Sequence, residues 1–221
     1  MSEKMPFQLT PGLQATAPST AAEPEAAPRH WRLGLPVLAD KLVTLREVQP
    51  TDAPHLFSML STDAVRRYMA PPPSDIAGFE RFIDWALSER AAGRYLCYAV
   101  IPAGYDQPVG IFQVRQIDPS FTTGEWGAAL GSEFWGTGIF EAGARMLMDF
   151  LFDDLGVHRL EARAAIQNGR ANGAARKIGA VPEGVARQGL NCRGRYHDQL
   201  MWSLLAEDWR QAKQEQRPMI H

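Results

Sequence analysis

Apolar and polar positions form regular blocks along the first half of the chain, and each block predicts one element. Residues 41–47 alternate apolar and polar side chains, which is typical of a strand with one buried face. A helix follows, with Thr51 as its predicted cap. A second helix begins after Ser74, where apolar residues recur at helical spacing, and ends at Gly93.

The middle of the chain changes first to a strand pattern and then back to a helical one. Residues 96–101, 109–116 and 122–130 are short segments rich in β-branched and aromatic residues, and turn residues separate them. They predict an antiparallel meander. Residues 138–155 then place apolar side chains on one helical face, and Gly156 ends that helix.

The last third of the chain alternates between the two patterns. The predicted elements are a strand at 159–165, a helix at 170–178, strands near 183–188 and 196–204, and a terminal amphipathic helix. This order predicts an α+β fold, and the chain has no internal repeat of the solenoid type.

The same patterns divide the chain into three parts. Residues 1–28 hold five prolines and six alanines with few large apolar groups, and they predict a disordered tail. Residues 38–210 form one predicted domain, and residues 211–221 form a C-terminal extension.

Composition is typical of a soluble globular protein. The 221 residues are 45% hydrophobic and 22% charged, and the net charge is -2. The two cysteines, Cys97 and Cys192, are too few for a disulfide framework and lack the spacing of a zinc site. No apolar run reaches the ~20 residues needed to span a bilayer, and no secretory signal pattern opens the chain. We therefore expect a cytoplasmic protein without a membrane partner or a metal.

Charge is unevenly distributed along the chain. Residues 156–200 hold eight Lys or Arg against three acidic residues, which leaves -7 on the remainder. A polyanionic ligand on this half would fit that excess of positive charge. The basic residues are scattered and lack interleaved aromatics, which argues against nucleic acid as the partner.

The segment 134–143 (FWGTGIFEAG) has the pattern of an anion-binding loop. Glycines allow backbone N–H groups to converge, and the first turn of the following helix adds unpaired donors and a partial positive charge. A simple two-glycine turn is the alternative. Neither a Walker loop nor a Rossmann fingerprint is present, because no Gly-Lys-Ser/Thr follows and Glu141 stands three positions after Gly138.

With these motifs, the chain resembles the GNAT superfamily of N-acetyltransferases, and within it the RimJ/RimL branch. The family's acetyl-CoA loop runs Gln/Arg-x-x-Gly-x-Gly/Ala, and Trp135 and Gly138 take its first and central places. Three further fragments follow the family's order: GEWGAAL at 124–130, NGRANGAARKIGA at 168–180, and EG to GRYHD at 183–198.

The resemblance implies a fold and a cofactor site. The fold is a largely antiparallel central sheet of about six to seven strands flanked by helices, whose fourth and fifth strands splay apart. Acetyl-CoA is the co-substrate. Its implied binding residues are Ala128 and Leu130, through main-chain groups of the open strand edge, the loop residues Trp135, Gly136, Thr137, Gly138, Ile139 and Phe140, and Asn168. A helix cap is the alternative role for Asn168.

The candidate catalytic residues are Glu125 and Tyr196. The resemblance marks Glu125 as a general base, and the alternative is a solvated strand carboxylate. The predicted helix at 170–178 has Ala171 where a serine is common and holds no Ser, Thr or Tyr. Tyr196 is therefore the candidate acid for the leaving thiolate, and a buried tyrosine with a structural hydrogen bond is the alternative.

Two classes of function remain open. The first is an N-acetyltransferase that moves acetyl from acetyl-CoA to a primary amine, either a protein N-terminus or a small amine. The second is a non-catalytic CoA-binding or protein-interaction module, favoured by Phe140 and Ala171, which replace a small loop residue and a proton donor. The sequence identifies neither the acceptor nor the oligomeric state.

Overall fold

The computed structural model describes residues 29–215, and one eight-stranded sheet runs through them. The strands are β1 (Leu38–Ala39), β2 (Val43–Glu47), β3 (Tyr95–Pro102), β4 (Gly110–Gln116), β5 (Thr123–Leu130), β6 (Arg159–Ala165), β7 (Val181–Cys192) and β8 (Arg195–Leu205). Their order across the sheet is β1-β2-β3-β4-β5-β6-β8-β7. Every neighbouring pair is antiparallel except β5 and β6.

The mixed, largely antiparallel sheet predicted from the sequence is confirmed, with more strands than the expected six to seven. The short strand β1 pairs with β2 through Leu38 and Ala39. A turn at Asp40 holds it there, since its carboxylate accepts hydrogen bonds from the backbone of Leu42 and Val43 at 2.7 and 2.8 Å. A strand of two residues is too short to show a period in the sequence.

Within residues 29–215, six α-helices accompany the sheet. They are α1 (Ala53–Leu60), α2 (Asp63–Arg66), α3 (Ile76–Ala91), α4 (Ile139–Asp149), α5 (Gly169–Lys177) and α6 (Ala206–Glu215). Residues 211–215, predicted as an extension, continue α6, whereas the predicted tail at 1–28 lies outside the described residues. The chain after α4 widens into one π-helical turn over Phe150–Asp154.

The predicted cap Thr51 is not the residue that opens α1. Thr51 lies inside a 3₁₀ turn over Pro50–Asp52, and the buried Asp52 accepts a hydrogen bond from the Gln49 backbone at 2.8 Å. Asp52 also accepts two hydrogen bonds from Arg46 on β2. A carboxylate bound to an arginine stabilises this turn more strongly than a threonine hydroxyl does.

The sheet separates two apolar cores, because successive side chains of a strand point to opposite faces. The α3 face is the side on which Cys97, Ala99 and Ile111 pack against α1 and α3. The α4 face is the side on which Tyr98, Phe112 and other buried side chains pack against α4, α5 and α6. Each face can therefore present a different set of residues at the same point of the sheet.

The parallel pair at the centre of the sheet is short. β5 and β6 are in register only from Thr123–Arg159 to Glu125–Glu161. β5 continues to Leu130 on its β4 side, and β6 continues to Ala165 on its β8 side. The two strands therefore separate after Glu125, as expected for the family's splayed pair.

Gly110→Ala should destabilise the protein, because β4 packs closely against the end of β5 at this position. A Cβ on Gly110 would lie 2.2 Å from the Ala129 carbonyl oxygen and 2.6 Å from Leu130 Cδ2. Overpacking of this kind costs about 1–3 kcal/mol, and each kcal/mol lowers the melting temperature by about 2–4 °C in a chain of this size.

Calorimetry of Gly110→Ala and Gly184→Ala provides the comparison. Gly184 is also a strand glycine, but a Cβ there meets nothing within 4 Å. Equal melting temperatures for the two variants would contradict the close approach of β4 and β5.

Candidate active site

The separation of β5 and β6 opens a cleft in the middle of the sheet. Beyond Glu125, the β5 edge that faces β6 has no strand partner among residues 29–215. Ala128 is exposed on this stretch, and Ala129 and Leu130 are buried. Backbone groups at an open edge need partners, so an extended ligand can bind there as an additional strand would.

The glycine loop lies at the end of β5, next to this cleft. Gly136 and Gly138 have φ angles of 78° and 88°, which only glycine adopts without strain. Gly138 is the N-cap of α4 and provides no side-chain acceptor for the first turn. The N–H groups and the partial positive charge of that turn therefore remain available to an anion.

Trp135 anchors the loop, and an arginine that the sequence analysis did not single out stacks on its ring. Its indole Nε1 donates to the Leu130 carbonyl at 3.0 Å, and the Arg170 guanidinium lies 3.6 Å from the centre of its ring. Arg170 is exposed in the first turn of α5. The stacking brings a positive charge from α5 to the loop position where the family has Gln or Arg.

The other predicted loop residues have local roles in the fold. The Thr137 hydroxyl donates to the Phe134 carbonyl at 2.8 Å, and the Ile139 side chain is buried. The Phe140 ring packs 5.5 Å from Phe112, measured between centroids. Binding by these residues would therefore use their backbone groups.

Asn168 caps α5, which was the alternative interpretation of this residue. Its Oδ1 accepts from the Ala171 backbone at 3.2 Å. The neighbouring Asn172, which the sequence analysis missed, is buried and donates through Nδ2 to the Ala165 carbonyl at 2.9 Å. Its Oδ1 accepts from Trp202 Nε1 at 2.9 Å. Asn172 thus fixes the end of β6 to α5 and β8 on one side of the cleft.

Glu125 is buried at the point where the strands separate, so it is not the solvated carboxylate that was the alternative interpretation. The residue is 2% exposed, and its Oε2 accepts from Arg115 Nη2 at 2.5 Å. Its Oε1 lies 3.9 Å from Arg163 Nε and has no hydrogen-bond partner among the described residues.

The surroundings of Glu125 change its proton affinity. Burial raises the pKa of the Glu125 carboxyl above its ordinary value of 4.5, while Arg115 and then Arg163 oppose that shift. A carboxylate with a raised pKa and one free oxygen has the properties expected of a general base.

Tyr196 does not come close to Glu125. The register aligns Glu125 with Glu161 and Glu161 with Ser203, and Tyr196 stands seven positions from Ser203 along β8, or roughly 23 Å. Tyr196 also alternates with Ser203, so its side chain points to the α4 face, and it is 62% exposed. The exposure also excludes the alternative of a buried structural tyrosine.

Residues 29–215 contain neither a metal cluster nor a membrane span. No group of three or more His, Cys, Asp or Glu in this part of the chain is arranged to hold a metal ion. Within the same residues, no helix has both the length and the apolar character to cross a bilayer.

Comparison with known proteins identifies the family. The family described as "Acetyltransferase (GNAT) domain" matches residues 43–181. The protein named "Putative ribosomal N-acetyltransferase YdaF", from Bacillus subtilis (strain 168), is 30% identical over 176 residues, which cover 76% of this chain and 93% of that protein. The chain therefore belongs to the GNAT acetyltransferase family and is an acyl-CoA-dependent acetyltransferase.

Solved structures agree with this fold. The ribosomal-protein-S5-alanine acetyltransferase from Vibrio fischeri aligns with a TM-score of 0.71 at 18% identity, covering 78% of this chain and 98% of that one. The microcin C7 self-immunity acetyltransferase MccE, in complex with acetyl-CoA and AMP, aligns at 0.68 with 22% identity, covering 75% and 93%. At 18% and 22% identity, these two structures show a shared fold.

Arg115→Met should raise the pKa of Glu125 further, because Arg115 is the stronger of the two cations that oppose the effect of burial. A raised pKa means that the folded protein binds a proton more tightly than the unfolded chain does. The contribution of Glu125 to stability is therefore complete below pH 4.5 and is lost as pH rises through the folded pKa. In Arg115→Met this loss should extend to higher pH.

Carbon-13 NMR titration of the glutamate carboxyl groups, assigned with Glu125→Gln, measures this pKa. Arg145→Met is the control, because Arg145 pairs with Glu141 on α4, away from Glu125. A Glu125 pKa that is unchanged or lower in Arg115→Met would contradict the assigned electrostatics.

Proposed function

We propose that this protein transfers the acetyl group of acetyl-CoA to a primary amine by direct attack, with Glu125 as the general base. The observation that carries the proposal is the position of Glu125, a buried carboxylate with one unpaired oxygen at the apex of the cleft. The glycine loop at the other end of the same β5 segment supports the cofactor assignment.

The cofactor's pyrophosphate binds at the loop. Backbone N–H groups of residues 136–140 and the first turn of α4 hold the phosphate oxygens, and Arg170, stacked on Trp135, adds a full positive charge. The pantetheine arm then extends along the open edge of β5 past Leu130 and Ala128. The Leu130 carbonyl already accepts from Trp135, so the loop and the strand edge form one continuous surface.

On the other wall of the cleft, Asn168 contributes through its side-chain amide. Its Oδ1 is engaged by the Ala171 backbone, but Nδ2 makes no hydrogen bond with the described residues. An amide N–H at this position suits the carbonyl oxygens of the pantetheine arm.

The chemistry needs one base and one electrophilic contact. Glu125 takes a proton from the ammonium of the acceptor, and the neutral nitrogen attacks the thioester carbon. A backbone N–H at the open β5 edge stabilises the oxyanion of the tetrahedral intermediate. The C–S bond then breaks, the second proton of the nitrogen passes through water to the departing CoA thiolate, and Glu125 releases the first proton to solvent. Tyr196 has no part in this scheme.

The acceptor is a protein N-terminus or a small amine. The names of YdaF and of the Vibrio fischeri enzyme refer to ribosomal proteins, which supports an N-terminal amine as one candidate. A cytoplasmic location belongs to the same proposal. A screen of N-terminal peptides, amino acids and polyamines with mass detection identifies the acceptor, and binding of acetyl-CoA without any transfer would favour the non-catalytic module instead.

Glu125→Gln should lower kcat by about 10²- to 10⁴-fold, because general-base assistance is typically worth that much. The affinity for acetyl-CoA should change little, since Glu125 lies at the opposite end of the cleft from the loop. The rate of the variant should recover partly as pH rises, because more of the amine then arrives without its extra proton. Thiol release with a saturating amine, followed from neutral to alkaline pH, measures both effects.

Glu47→Gln is the matched control, because Glu47 is also a strand glutamate bound by an arginine, Arg90, at 2.5 Å. Its kcat should stay within about twofold of the wild type, as for substitutions away from special features. Wild-type turnover in Glu125→Gln at neutral pH would mean that the base is elsewhere.

Gly138→Asp should abolish acetyl-CoA binding, because a carboxylate in the loop repels the phosphates. Acetyl-CoA should raise the melting temperature of the wild type, since a ligand that binds only the folded state stabilises it, and should leave that of the variant unchanged. Gly156→Asp controls for backbone strain, because Gly156 has a similar φ of 74° and a Cβ there would meet no atom within 4 Å. Gly156 follows α4, whereas the loop precedes it, so this variant should keep the thermal shift. A full thermal shift in Gly138→Asp would mean that the loop does not bind acetyl-CoA.

A further inference from the structure

Unpartnered polar atoms gather on the α3 face of the sheet beside the cleft. Four buried side-chain atoms there have no hydrogen-bond partner among the described residues: Glu125 Oε1, Arg115 Nε, Arg163 Nε and Gln199 Oε1. The strand register places all four residues on one face, since Arg115 aligns with Glu125, and Gln199 aligns with Ala165, two positions from Arg163. Buried polar atoms without partners are costly, so these atoms, above all the neighbouring Glu125 Oε1 and Arg163 Nε, indicate a polar ligand.

Apolar contacts flank this polar group on both sides. Ile111 and Ala129 belong to the core under α1 and α3. On the other side, Ala165, Leu190 and Cys192 form a small cluster that Tyr68 packs against. The polar atoms are therefore buried on the same face of the sheet as these two apolar clusters and do not lie on an open surface.

Arg163 is the least satisfied member of the group. Its side chain is 18% exposed, and its only ionic partner among the described residues is Glu125, at 3.9 Å, which is too long for a hydrogen bond. The nearby carboxylates are engaged elsewhere, because Arg159 binds Glu161 at 3.0 Å and Glu183 at 2.9 Å. An arginine carries five N–H donors in a planar fork, and within the described part of the chain this fork has no acceptor.

The position of Arg163 on β6 relates it to the chemistry. It stands two residues after Glu161, the last β6 residue paired with β5, so it lies on the wall of the cleft. Its guanidinium and the free oxygen of Glu125 are neighbours. A ligand whose cation meets Glu125 can therefore place an anion on Arg163 only if its two charges are close together.

We propose that the acceptor is an amine that carries a carboxylate a few bonds from its nitrogen, and that Arg163 binds this carboxylate while the ammonium reaches Glu125. The inference rests on the proposed function and specifies its substrate class. The two oxygens of a carboxylate can each accept a hydrogen bond from the planar guanidinium. A lysine ammonium is a point charge and does not provide this bidentate geometry. Polyamines carry only positive charge. Arg115 and Arg163 would repel them, and Glu125 is the one carboxylate between these two arginines.

Two kinds of molecule provide this chemistry. In a free amino acid, the carboxylate is attached to the same carbon atom as the ammonium group. In a peptide with an acidic first residue, the side-chain carboxylate takes the same role. Matched pairs separate the two sources: alanine against alaninamide, and a C-terminally amidated peptide beginning with Asp against the same peptide beginning with Asn.

The experiment measures kcat/KM for acetyl transfer to both pairs with the full-length protein. In the wild type, the carboxylate member of at least one pair should be better by about tenfold to a hundredfold, as for charge-assisted hydrogen bonds. Arg163→Gln should remove most of that preference by raising KM for the carboxylate member, with little effect on the amide member. Arg163→Lys, which keeps the charge but loses the fork, should retain an intermediate preference.

Arg210→Gln is the matched control, because Arg210 is an exposed arginine of α6 that pairs with Asp153, and it should leave the preference unchanged. Equal kcat/KM for both members of both pairs in the wild type would overturn the proposal, even if Arg163→Gln fails to fold. An equal loss on both members in a folded Arg163→Gln would also overturn it. Failure of the proposed function looks different, because no amine of either pair would then release thiol from acetyl-CoA.

Discussion

The early end of the parallel pairing between β5 and β6 is the constraint on which the site depends. Each strand keeps its outer neighbour, β4 on one side and β8 on the other, while the two separate from each other after Glu125. The backbone groups so exposed would be costly in a finished sheet, because an unpaired strand edge needs hydrogen-bond partners. A ligand that extends along this edge can provide those partners.

Contacts on both sides keep the cleft open. On the β5 side, Trp135 holds the Leu130 carbonyl and thereby fixes the glycine loop at the end of the strand. On the β6 side, Asn172 joins the carbonyl of Ala165 to the indole of Trp202. Both contacts use buried or partly buried polar groups, so they add direction as well as stability. A cofactor can then bind without first reorganising the strands, which reduces the entropic cost of binding.

In the proposed function, the two faces of the sheet have separate roles. The loop, Arg170 and α4 belong to the α4 face, which suits the phosphates of a cofactor. Glu125, Arg115 and Arg163 belong to the α3 face, where burial and positive charge act on one carboxylate in opposite directions. Because strand side chains alternate, two reactants can approach the same stretch of β5 from opposite sides without competing for space.

The sequence by itself determined the longer elements and the glycine loop, because periodicity, helix stops and positive-φ glycines depend on neighbouring residues, and its motifs indicated the family. It could not predict β1 or α2, which are too short to show a period, and it assigned the α1 cap to Thr51, although Asp52, bound by Arg46 of β2, occupies the cap position. Only the tertiary structure decided which candidates meet. Arg163 is far from Arg115 and Glu125 in the chain and joins them through the register of three strands, whereas Tyr196 ends on the opposite face by the same register. A shift of one residue in that register would reverse every one of these positions, and no local pattern in the sequence encodes it.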